Sequence, residues 1–245
     1  MKLTFLGSGD AFGTGGRFNT CFHVQRAQGG AFLIDCGASS LVAMRKAGLS
    51  PNDVRTVFLT HLHGDHFGGL PFLILDAQLA SRRASPLTIV GPKGLPDRLR
   101  QAQEALFPRS SQIELRYELE LIEIAPGQPR AVGDVTVRAT QASHFSGSPS
   151  LSLRLETEGR AIAYSGDTAW TDTLIEAARG ADLFICEAYF MGRKVSGHMD
   201  VEDLLPHLSE IAAKRVVLTH MGEEMLAAET PAGVVKAFDG LEVVL

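Results

Sequence analysis

The sequence predicts an α/β protein in which two packed sheets carry helices on their outer faces. Strand-like runs fill both halves of the chain, segments with helical periodicity lie between them, and histidines or aspartates follow several strands directly. Strands interspersed with helices are typical of layered α/β architectures. Because the two halves have similar content, we expect two sheets, with a functional site assembled from the loops at their strand ends.

The strands are predicted from short apolar or β-branched runs bounded by glycine, proline or polar residues. In the first half these runs are Leu3–Leu6, Thr20–Val24, Ala31–Ile34, Val57–Leu59 and Leu87–Val90. In the second half they are Leu119–Ile124, Val135–Ala139, Ser150–Leu155, Ala161–Tyr164, Leu183–Cys186, Val216–Leu218 and Glu242–Leu245. Helical periodicity predicts five helices, Ser40–Ala47, Leu70–Leu79, Leu95–Leu106, Thr171–Ala178 and Val201–Ala213. Asp200 is the expected N-cap of the last helix, and Pro206 predicts a kink or a later start within it.

Composition limits the classes of protein to which the chain can belong. Its 245 residues are 45% hydrophobic, which predicts a globular protein of either one large domain or two small ones. The formal net charge of −5 argues against broad adhesion to nucleic acid, although it leaves room for a small basic phosphate pocket. Three well-separated cysteines, Cys21, Cys36 and Cys186, predict free buried thiols and a reducing cytoplasm. No apolar run reaches transmembrane length, so no membrane association is expected.

The segment His61-Leu62-His63-Gly64-Asp65-His66 is the strongest functional signal in the chain. On extended backbone His61 and His63 point the same way, and a turn at the glycine directs Asp65 and His66 toward a second point. Imidazole and carboxylate together suit zinc and neighbouring transition metals. The segment therefore predicts ligands for two adjacent metal ions.

Three further strand ends repeat one form, in which a metal-ligand type follows an apolar strand and a small or hydroxyl residue. They place His144 after Val135–Ala139, Asp167 after Ala161–Tyr164 and His220 after Val216–Leu218. Any one of these alone would be interpreted as an ordinary surface or core residue. Together with the histidine cluster they predict one metal centre built from several loops.

On these motifs the chain resembles the metallo-β-lactamase fold superfamily, from residue 3 to the C-terminal strand. The resemblance implies a single domain over residues 1–245, folded as a four-layer αββα sandwich with the site at one edge of the paired sheets. It implies two divalent metal ions, with zinc the first choice and manganese or iron compatible with the same ligands. The implied ligands are His61, His63 and His144 for one ion, and Asp65, His66 and His220 for the other, with Asp167 bridging the two. Asp35, which follows the strand Ala31–Ile34, matches the aspartate that orients the histidine loop.

Two more residues favour the ribonuclease Z branch and the related small phosphodiesterases, including the phosphonate-pathway cyclic phosphodiesterase. Glu187 ends an apolar strand, and His198 precedes the helix that Asp200 is expected to cap. In that branch a histidine held by a carboxylate acts on the phosphate, which makes Glu187 and His198 catalytic candidates together with Asp65. Aspartate rather than cysteine at position 167 disfavours the zinc β-lactamases.

The chain departs from ribonuclease Z at the arm with which that family grips tRNA. Only a predicted hairpin around Glu158-Gly159 separates His144 from Asp167, with no long insertion rich in glycine, proline and lysine. The expected function is therefore that of a dinuclear metal-dependent hydrolase, in which hydroxide between the two ions attacks a small phosphodiester such as a cyclic nucleotide. Homodimers are the family habit, although no sequence stripe indicates one here.

Three alternatives stay open: RNA processing of the ribonuclease Z type, carboxylic-ester or lactone hydrolysis on the same metal core, and metal binding without catalysis. The glycine-rich loop Gly7–Asn19 is expected to border the site, where Arg17 would contact phosphate or else lie in a turn without ligand. His23 and His207 are interpreted as ordinary structural residues and Phe190 as core. Tyr189 is compatible both with core packing and with stacking on a base.

Overall fold

The structure, a computed structural model, describes all 245 residues and contains two seven-stranded mixed sheets packed face to face. In spatial order, the first sheet consists of β14 (Glu242–Val244), β1 (Lys2–Gly7), β2 (Cys21–Gln25), β3 (Ala31–Ile34), β4 (Val54–Phe58), β5 (Leu87–Pro92) and β6 (Leu119–Ile124). The second consists of β13 (Val234–Lys236), β12 (Val216–Thr219), β11 (Leu183–Glu187), β10 (Arg160–Tyr164), β9 (Leu151–Thr157), β8 (Val135–Gln141) and β7 (Arg130–Val132).

Helices cover the outer face of each sheet. In chain order they are α1 (Ser40–Lys46), α2 (Gly64–Phe67), α3 (Leu70–Leu79), α4 (Leu95–Leu106), α5 (Thr173–Ala178), α6 (Val201–Leu204), α7 (Leu208–Ile211) and α8 (Glu223–Ala227). Short 3-10 turns lie at Thr14–Gly16, Pro51–Asp53, Ser110–Gln112 and Leu205–His207. None of the helices is long and apolar enough to cross a membrane.

Three apolar clusters hold the layers together. The inner cluster of 23 buried residues joins the two sheets, and at its centre Phe22 makes edge-on contacts with Phe5 (4.8 Å between ring centroids) and Tyr164 (5.0 Å). A second cluster packs α1, α3 and α4 on the first sheet, and a third packs α5 to α8 on the second sheet. Since apolar burial drives folding, this order of layers confirms the predicted αββα sandwich.

The direction of the strands sets the position of the site. Strands β3 to β6 are parallel in the first sheet, and β10 to β13 are parallel in the second. Strand β8 runs the same way as β10, because both are antiparallel to β9. The Leu151 amide at the start of β9 donates to the Thr60 carbonyl, 3.0 Å away and just past β4, which ties the two sheets at that edge. Loops at the carboxyl ends of these strands therefore meet along one edge.

Most predicted elements are present, and the differences are local. Strands β7 and β13 and helices α2 and α8 were not predicted, because each is only three to five residues long and shows no clear periodicity. The predicted helix Val201–Ala213 is broken, as Pro206 implied, into α6, a 3-10 turn and α7. Asp200 caps it by accepting the Glu202 amide at 3.1 Å.

Candidate metal centre and active site

The seven predicted ligands converge at this edge, each from a loop beyond the carboxyl end of a strand. The segment 61–66 follows β4 and runs into the short helix α2, which turns Asp65 and His66 inward. The second sheet supplies His144 after β8, Asp167 after β10 and His220 after β12. The site is thus shared between the two sheets, as the strand-end pattern predicted.

The first group consists of His61, His63 and His144, whose ligand atoms lie within 4.8 Å of one another. His144 Nε2 is 3.1 Å from His63 Nδ1, and His144 Nδ1 donates to the Gly197 carbonyl at 2.7 Å. That carbonyl fixes the tautomer of His144 and leaves Nε2 with a lone pair for an ion. Three imidazole nitrogens around one point are a ligand set typical of zinc.

The second group consists of Asp65, His66, Asp167 and His220, all of them buried. Asp65 Oδ2 lies 3.3 Å from His66 Nε2 and 3.2 Å from His220 Nε2. Asp167 reaches both groups, with Oδ1 3.2 Å from His66 Nε2 and Oδ2 3.8 Å from His61 Nε2. The geometry therefore places Asp167 where the resemblance implied a bridging ligand.

The donor atoms fit metal ions on physical grounds. Four buried atoms at this centre lack a hydrogen-bond partner, His61 Nε2, His66 Nε2, Asp167 Oδ1 and His220 Nδ1. Buried polar atoms without partners are costly, and three of these four point into the two ligand groups, where a cation would satisfy them. His220 also adopts a left-handed backbone conformation (φ 55°), a strain that clusters at functional sites.

Charge at the centre favours cations. Burial lowers the pKa of the His66 ring, but the Asp167, Asp65 and Asp35 carboxylates outweigh it and hold that pKa well above its usual range. In the same way burial lowers the pKa of His220, yet Asp167 leads a set of contacts that raises it to about 9. Buried carboxylates thus dominate the local field and attract positive charge, whether on a ring or on a metal ion.

Asp35 orients the histidine segment through hydrogen bonds. Its backbone is left-handed (φ 56°), and its carboxylate accepts the Thr60 amide and hydroxyl, both at 2.8 Å, and His66 Nδ1 at 2.7 Å. The Thr60 hydroxyl in turn lies 3.0 Å from His61 Nδ1. Direct contacts therefore match the orienting role expected of Asp35. Thr60, which the sequence did not single out as a site residue, connects Asp35 to His61.

Glu187 and His198 form a hydrogen-bonded pair beside the ligands. Glu187 Oε1 accepts from His198 Nδ1 and lies 3.7 Å from His220 Nδ1, while Oε2 accepts the Thr168 amide at 2.6 Å. Burial lowers the pKa of His198, but the Glu187 contact overcomes this and raises it. Glu187 has no exposed surface, whereas the side chain of His198 is 27% exposed. The pair therefore connects a buried carboxylate to an imidazole that can reach a ligand.

His198 faces a cavity of about 440 Å³ that His63 and His144 also line, together with Phe145 and two serines. A volume of this size suits a small organic ligand. Because both His63 and His144 belong to the first ligand group, this cavity opens directly onto the metal centre. We call it the catalytic cavity.

The glycine-rich loop borders the site, although Arg17 does not face it as a free cation. Its guanidinium donates to the Ala237 carbonyl and the Ser8 hydroxyl. Asp239 accepts the Ser8 amide and hydroxyl at 2.9 and 2.8 Å, and the Ser8 carbonyl accepts the His220 amide at 3.1 Å. Arg17 and Asp239 therefore hold the loop and, through Ser8, the backbone of His220.

The remaining predicted residues have structural surroundings. His23 is buried on β2, and burial lowers its pKa. His207 stacks on Trp170 with ring centroids 4.2 Å apart and belongs to none of the ligand groups. Phe190 is core, as expected. Tyr189 is half-buried, and its ring centroid lies 5.3 Å from that of His198 and 5.8 Å from that of His220.

Comparison with known proteins agrees with this geometry. Residues 1–239 match the family described as the anti-Pycsar protein Apyc1. A ribonuclease Z of Lachnoclostridium phytofermentans is 26% identical over 94% of this chain and 90% of its own length. Human tRNase Z, short form (ELAC1), shares 27% identity and superposes with a TM-score of 0.80, covering 100% of this chain and 99% of that one.

A further solved structure shares the architecture. The metallo-β-lactamase fold protein YhfI from Bacillus subtilis superposes with a TM-score of 0.79 over 99% of this chain and 98% of that one, at 21% identity. At that identity the likeness concerns the fold alone. Together these matches confirm the fold and the branch that the sequence motifs predicted.

Proposed function

Because the chain belongs to the family of the anti-Pycsar protein Apyc1, within the ribonuclease Z-like branch of the metallo-β-lactamase superfamily, we propose that this metal-dependent hydrolase cleaves a small phosphodiester, with a cyclic nucleotide the first candidate. The observation that carries the proposal is the Glu187–His198 pair beside the two ligand groups. Hydrolysis of a carboxylic ester or lactone on the same centre would not need that pair.

The ligand groups would each hold one divalent ion, the first through His61, His63 and His144, the second through Asp65, His66 and His220, with Asp167 serving both. Bound there, two ions lower the pKa of water and neutralise charge on a phosphate. Zinc is the proposed metal, because imidazole-rich sites with carboxylates suit it, and manganese or iron would accept the same ligands.

His198 would act on the substrate itself. Glu187 accepts from Nδ1, which leaves Nε2 as the ring atom available to the catalytic cavity. Cleavage of a phosphodiester produces an alkoxide, and a proton held on Nε2 can pass to that oxygen or stabilise charge on the phosphoryl oxygens. Glu187 orients the ring and stabilises its cationic form, in which both ring nitrogens carry a proton and Nε2 has one to give.

The short connection between β9 and β10 supports a small substrate. These strands are joined by a two-residue turn, Glu158-Gly159, so no arm projects between His144 and Asp167. The formal net charge of −5 also gives little attraction for a polyanion such as tRNA. A ligand of nucleotide size needs neither an arm nor a broad basic surface.

RNA processing is the second candidate, and the similarity itself favours it. The relatives that cover most of this chain carry the name ribonuclease Z, and the human protein that superposes along the whole chain is a tRNase Z. A short unstructured RNA end could reach the same centre without an arm. Both candidates use the same ligands, so substrate tests separate them.

The number of domains, the oligomeric state and the location in the cell stay predictions. We propose one domain over residues 1–245, a homodimer as in the related family, and a cytoplasmic location. The three cysteines are buried and unpaired, which agrees with a reducing compartment. Sedimentation equilibrium on the purified chain would measure the oligomeric state directly.

The test uses zinc-reconstituted protein with bis-p-nitrophenyl phosphate, 3′,5′-cyclic AMP, a tRNA precursor and a lactone. We expect metal-dependent turnover of both small diesters and little with the other two. His198→Ala should lower kcat by roughly 10²–10⁴-fold on cyclic AMP. His207→Ala, which removes a histidine stacked on Trp170 at the surface, is the matched control and should leave kcat unchanged.

The two diesters also separate the roles open to His198. p-Nitrophenolate leaves without protonation, so a leaving-group acid would be needed much more for cyclic AMP than for the aryl ester. An equal loss on both substrates would instead assign His198 to charge on the phosphoryl oxygens. Lactone turnover with diester silence would overturn the proposal, and preference for the tRNA precursor would move it to the second candidate.

A further inference from the structure

A second cavity is lined by Tyr189, whose ring lies 5.3 Å from that of His198 in the catalytic cavity. Its volume is about 330 Å³, and it is lined by Phe12 from the glycine-rich loop, by Tyr189 and Arg193, and by Glu223 and Glu224 after His220. We call it the aromatic cavity. None of its lining residues is a ligand candidate or a member of the Glu187–His198 pair.

Phe12 is held out in solvent by its loop. The residue is 82% exposed. The buried carboxylate of Asp10 accepts the Phe12 amide at 3.1 Å, the Thr14 amide at 2.9 Å and the Thr14 hydroxyl. The exposure of the ring is therefore a fixed feature of an ordered loop, which leaves its face free to contact a ligand.

Close packing at the base of the loop keeps it in place. A Cβ on Gly7 would lie 1.9 Å from the Asn19 carbonyl oxygen, so the two ends of the loop touch backbone to backbone. The Asn19 side chain also donates to the Asp10 carbonyl at 2.9 Å. The glycines at this point serve close approach rather than flexibility.

Tyr189 connects the aromatic cavity to the metal centre. Its ring contacts those of His198 and His220, with centroids 5.3 and 5.8 Å away, and it packs against Gly222, where a Cβ would meet the ring at 3.1 Å. A phosphate at the ligand groups would thus lie one side chain away from this cavity. In a nucleotide one sugar separates the phosphate from the base, so the spacing of these two groups is similar to that of the metal centre and the aromatic cavity.

The chemistry of the walls suits a flat heteroaromatic ring. Phe12 and Tyr189 offer aromatic faces, and base–aromatic stacking tolerates every base because each has a π face. Arg193, whose guanidinium lies 4.3 Å above the Phe190 ring, supplies donors, and the exposed carboxylates of Glu223 and Glu224 supply acceptors. Together they match the mixed donor and acceptor edge of a nucleobase.

We propose that the aromatic cavity is the nucleobase subsite of the hydrolase, with Phe12 as its stacking platform. The inference rests on the proposed function, since it assigns the base of a nucleotide substrate whose phosphate lies at the metal centre. The catalytic cavity is the other candidate for the base, through Phe145, which is 90% exposed. That cavity has no second aromatic ring besides histidines to oppose Phe145, so we assign the base to Phe12.

The experiment measures binding, so that it does not depend on turnover. Zinc-loaded protein is titrated calorimetrically with AMP, with CMP and with ribose 5-phosphate, which share a phosphate on ribose but differ in the base. The stacking energies measured for bases predict about 10-fold tighter binding of the two nucleotides than of ribose 5-phosphate. Phe12→Ala should remove most of that preference and leave the affinity for ribose 5-phosphate unchanged.

Three further variants make the result specific. Phe12→Tyr keeps an aromatic face and should keep the preference. Phe72→Ala removes a partly exposed phenylalanine from α3 on the outer surface and should change nothing. Phe145→Ala tests the other cavity and should leave the preference intact.

Several results would overturn the proposal. Equal affinity for nucleotides and ribose 5-phosphate in the unmodified protein, or no binding of any of them, would do so. A preference that survives Phe12→Ala, or one lost in Phe145→Ala instead, would place the base elsewhere. Turnover measurements distinguish failure of this proposal from failure of the proposed function. Diester hydrolysis without base preference in binding would contradict only the nucleobase subsite. Base preference in binding without diester hydrolysis would contradict only the phosphodiesterase activity.

Discussion

The side chains of Asp35 and His66 are joined by a 2.7 Å hydrogen bond between Oδ2 and Nδ1, and neither has any exposed surface. This bond holds the His66 proton on Nδ1 and leaves Nε2 as the ligand atom. The same carboxylate binds the amide and hydroxyl of Thr60, the residue before His61. One aspartate therefore orients the histidine segment at both ends.

Replacing that aspartate should weaken metal binding without removing a ligand. We expect Asp35→Asn to lower zinc affinity by roughly 10–100-fold, the usual effect of losing a partner that orients a ligand. Competition with a chromophoric chelator measures the two zinc affinities. Asp182→Asn, at a carboxylate remote from the ligand groups, is the control and should bind zinc normally. Unchanged affinity in Asp35→Asn would contradict the orienting role.

Metal removal should lower the melting temperature markedly. Zinc at about 1,000 times its dissociation constant stabilises a protein by about 4 kcal/mol. For a chain of 245 residues this corresponds to roughly 8–16 °C, at 2–4 °C per kcal/mol. Calorimetric scans with zinc and with excess chelator give the difference. Asp167→Ala should lose most of it, because that residue reaches both ligand groups. A full difference in that variant would argue against its bridging position.

Asp182 should make stability depend on pH below about 4. The Lys214 ammonium (2.8 Å), the Ala161 amide (2.9 Å) and the Arg160 guanidinium (3.1 Å) lower the pKa of its carboxyl to about 2. Because the folded pKa lies below the unfolded one, the contribution is complete above the unfolded value and is lost as pH falls toward 2.

We expect Asp182→Asn to destabilise the protein by roughly 1–2 kcal/mol at pH 7, since Lys214 and Arg160 are partly exposed and water screens them. The difference from the unmodified protein should shrink steadily between pH 4 and pH 2. Urea unfolding at each pH measures it. Asp97→Asn, at a side chain that is 79% exposed, should show little difference at any pH. A constant Asp182 difference across that range would refute the assignment.

Arg83 should be among the most important single residues for stability outside the site. It is 1% exposed, and its guanidinium donates to the carbonyls of Ser85, Pro51, Pro86 and Val54. Arg83→Met would leave these acceptors buried without donors, at a cost of roughly 3–5 kcal/mol. The adjacent, exposed Arg82 offers a matched control, since Arg82→Met should cost little. Similar unfolding midpoints in urea for the two variants would show that the buried contacts contribute little.

The sequence predicted the layers and the ligands because both follow from local patterns. Alternating and apolar runs marked the long strands, and the hydroxyl-then-ligand form marked the ends of β4 and β12. The pairing of Glu187 with His198 could be inferred only through the family resemblance, since 11 residues and a loop separate them.

Contacts between distant segments could not be predicted in this way. Asp239 binds Ser8 across 231 residues, and nothing in its immediate sequence, Phe238-Asp239-Gly240, distinguishes it from an ordinary turn. The direction of Arg17 depends on the Ala237 carbonyl, which that same turn brings close. Short elements such as α2 form because tertiary packing holds them, since one isolated turn of helix is unstable.

The sharing of ligands between sheets has a consequence for hydrogen exchange. With both ions bound, each would link the loop after β4 in the first sheet to loops after β8, β10 or β12 in the second. Neither sheet could then open at this edge without releasing an ion. Amide protons of the two sheets should therefore exchange at similar, slow rates in the loaded protein, and diverge once the metal is removed.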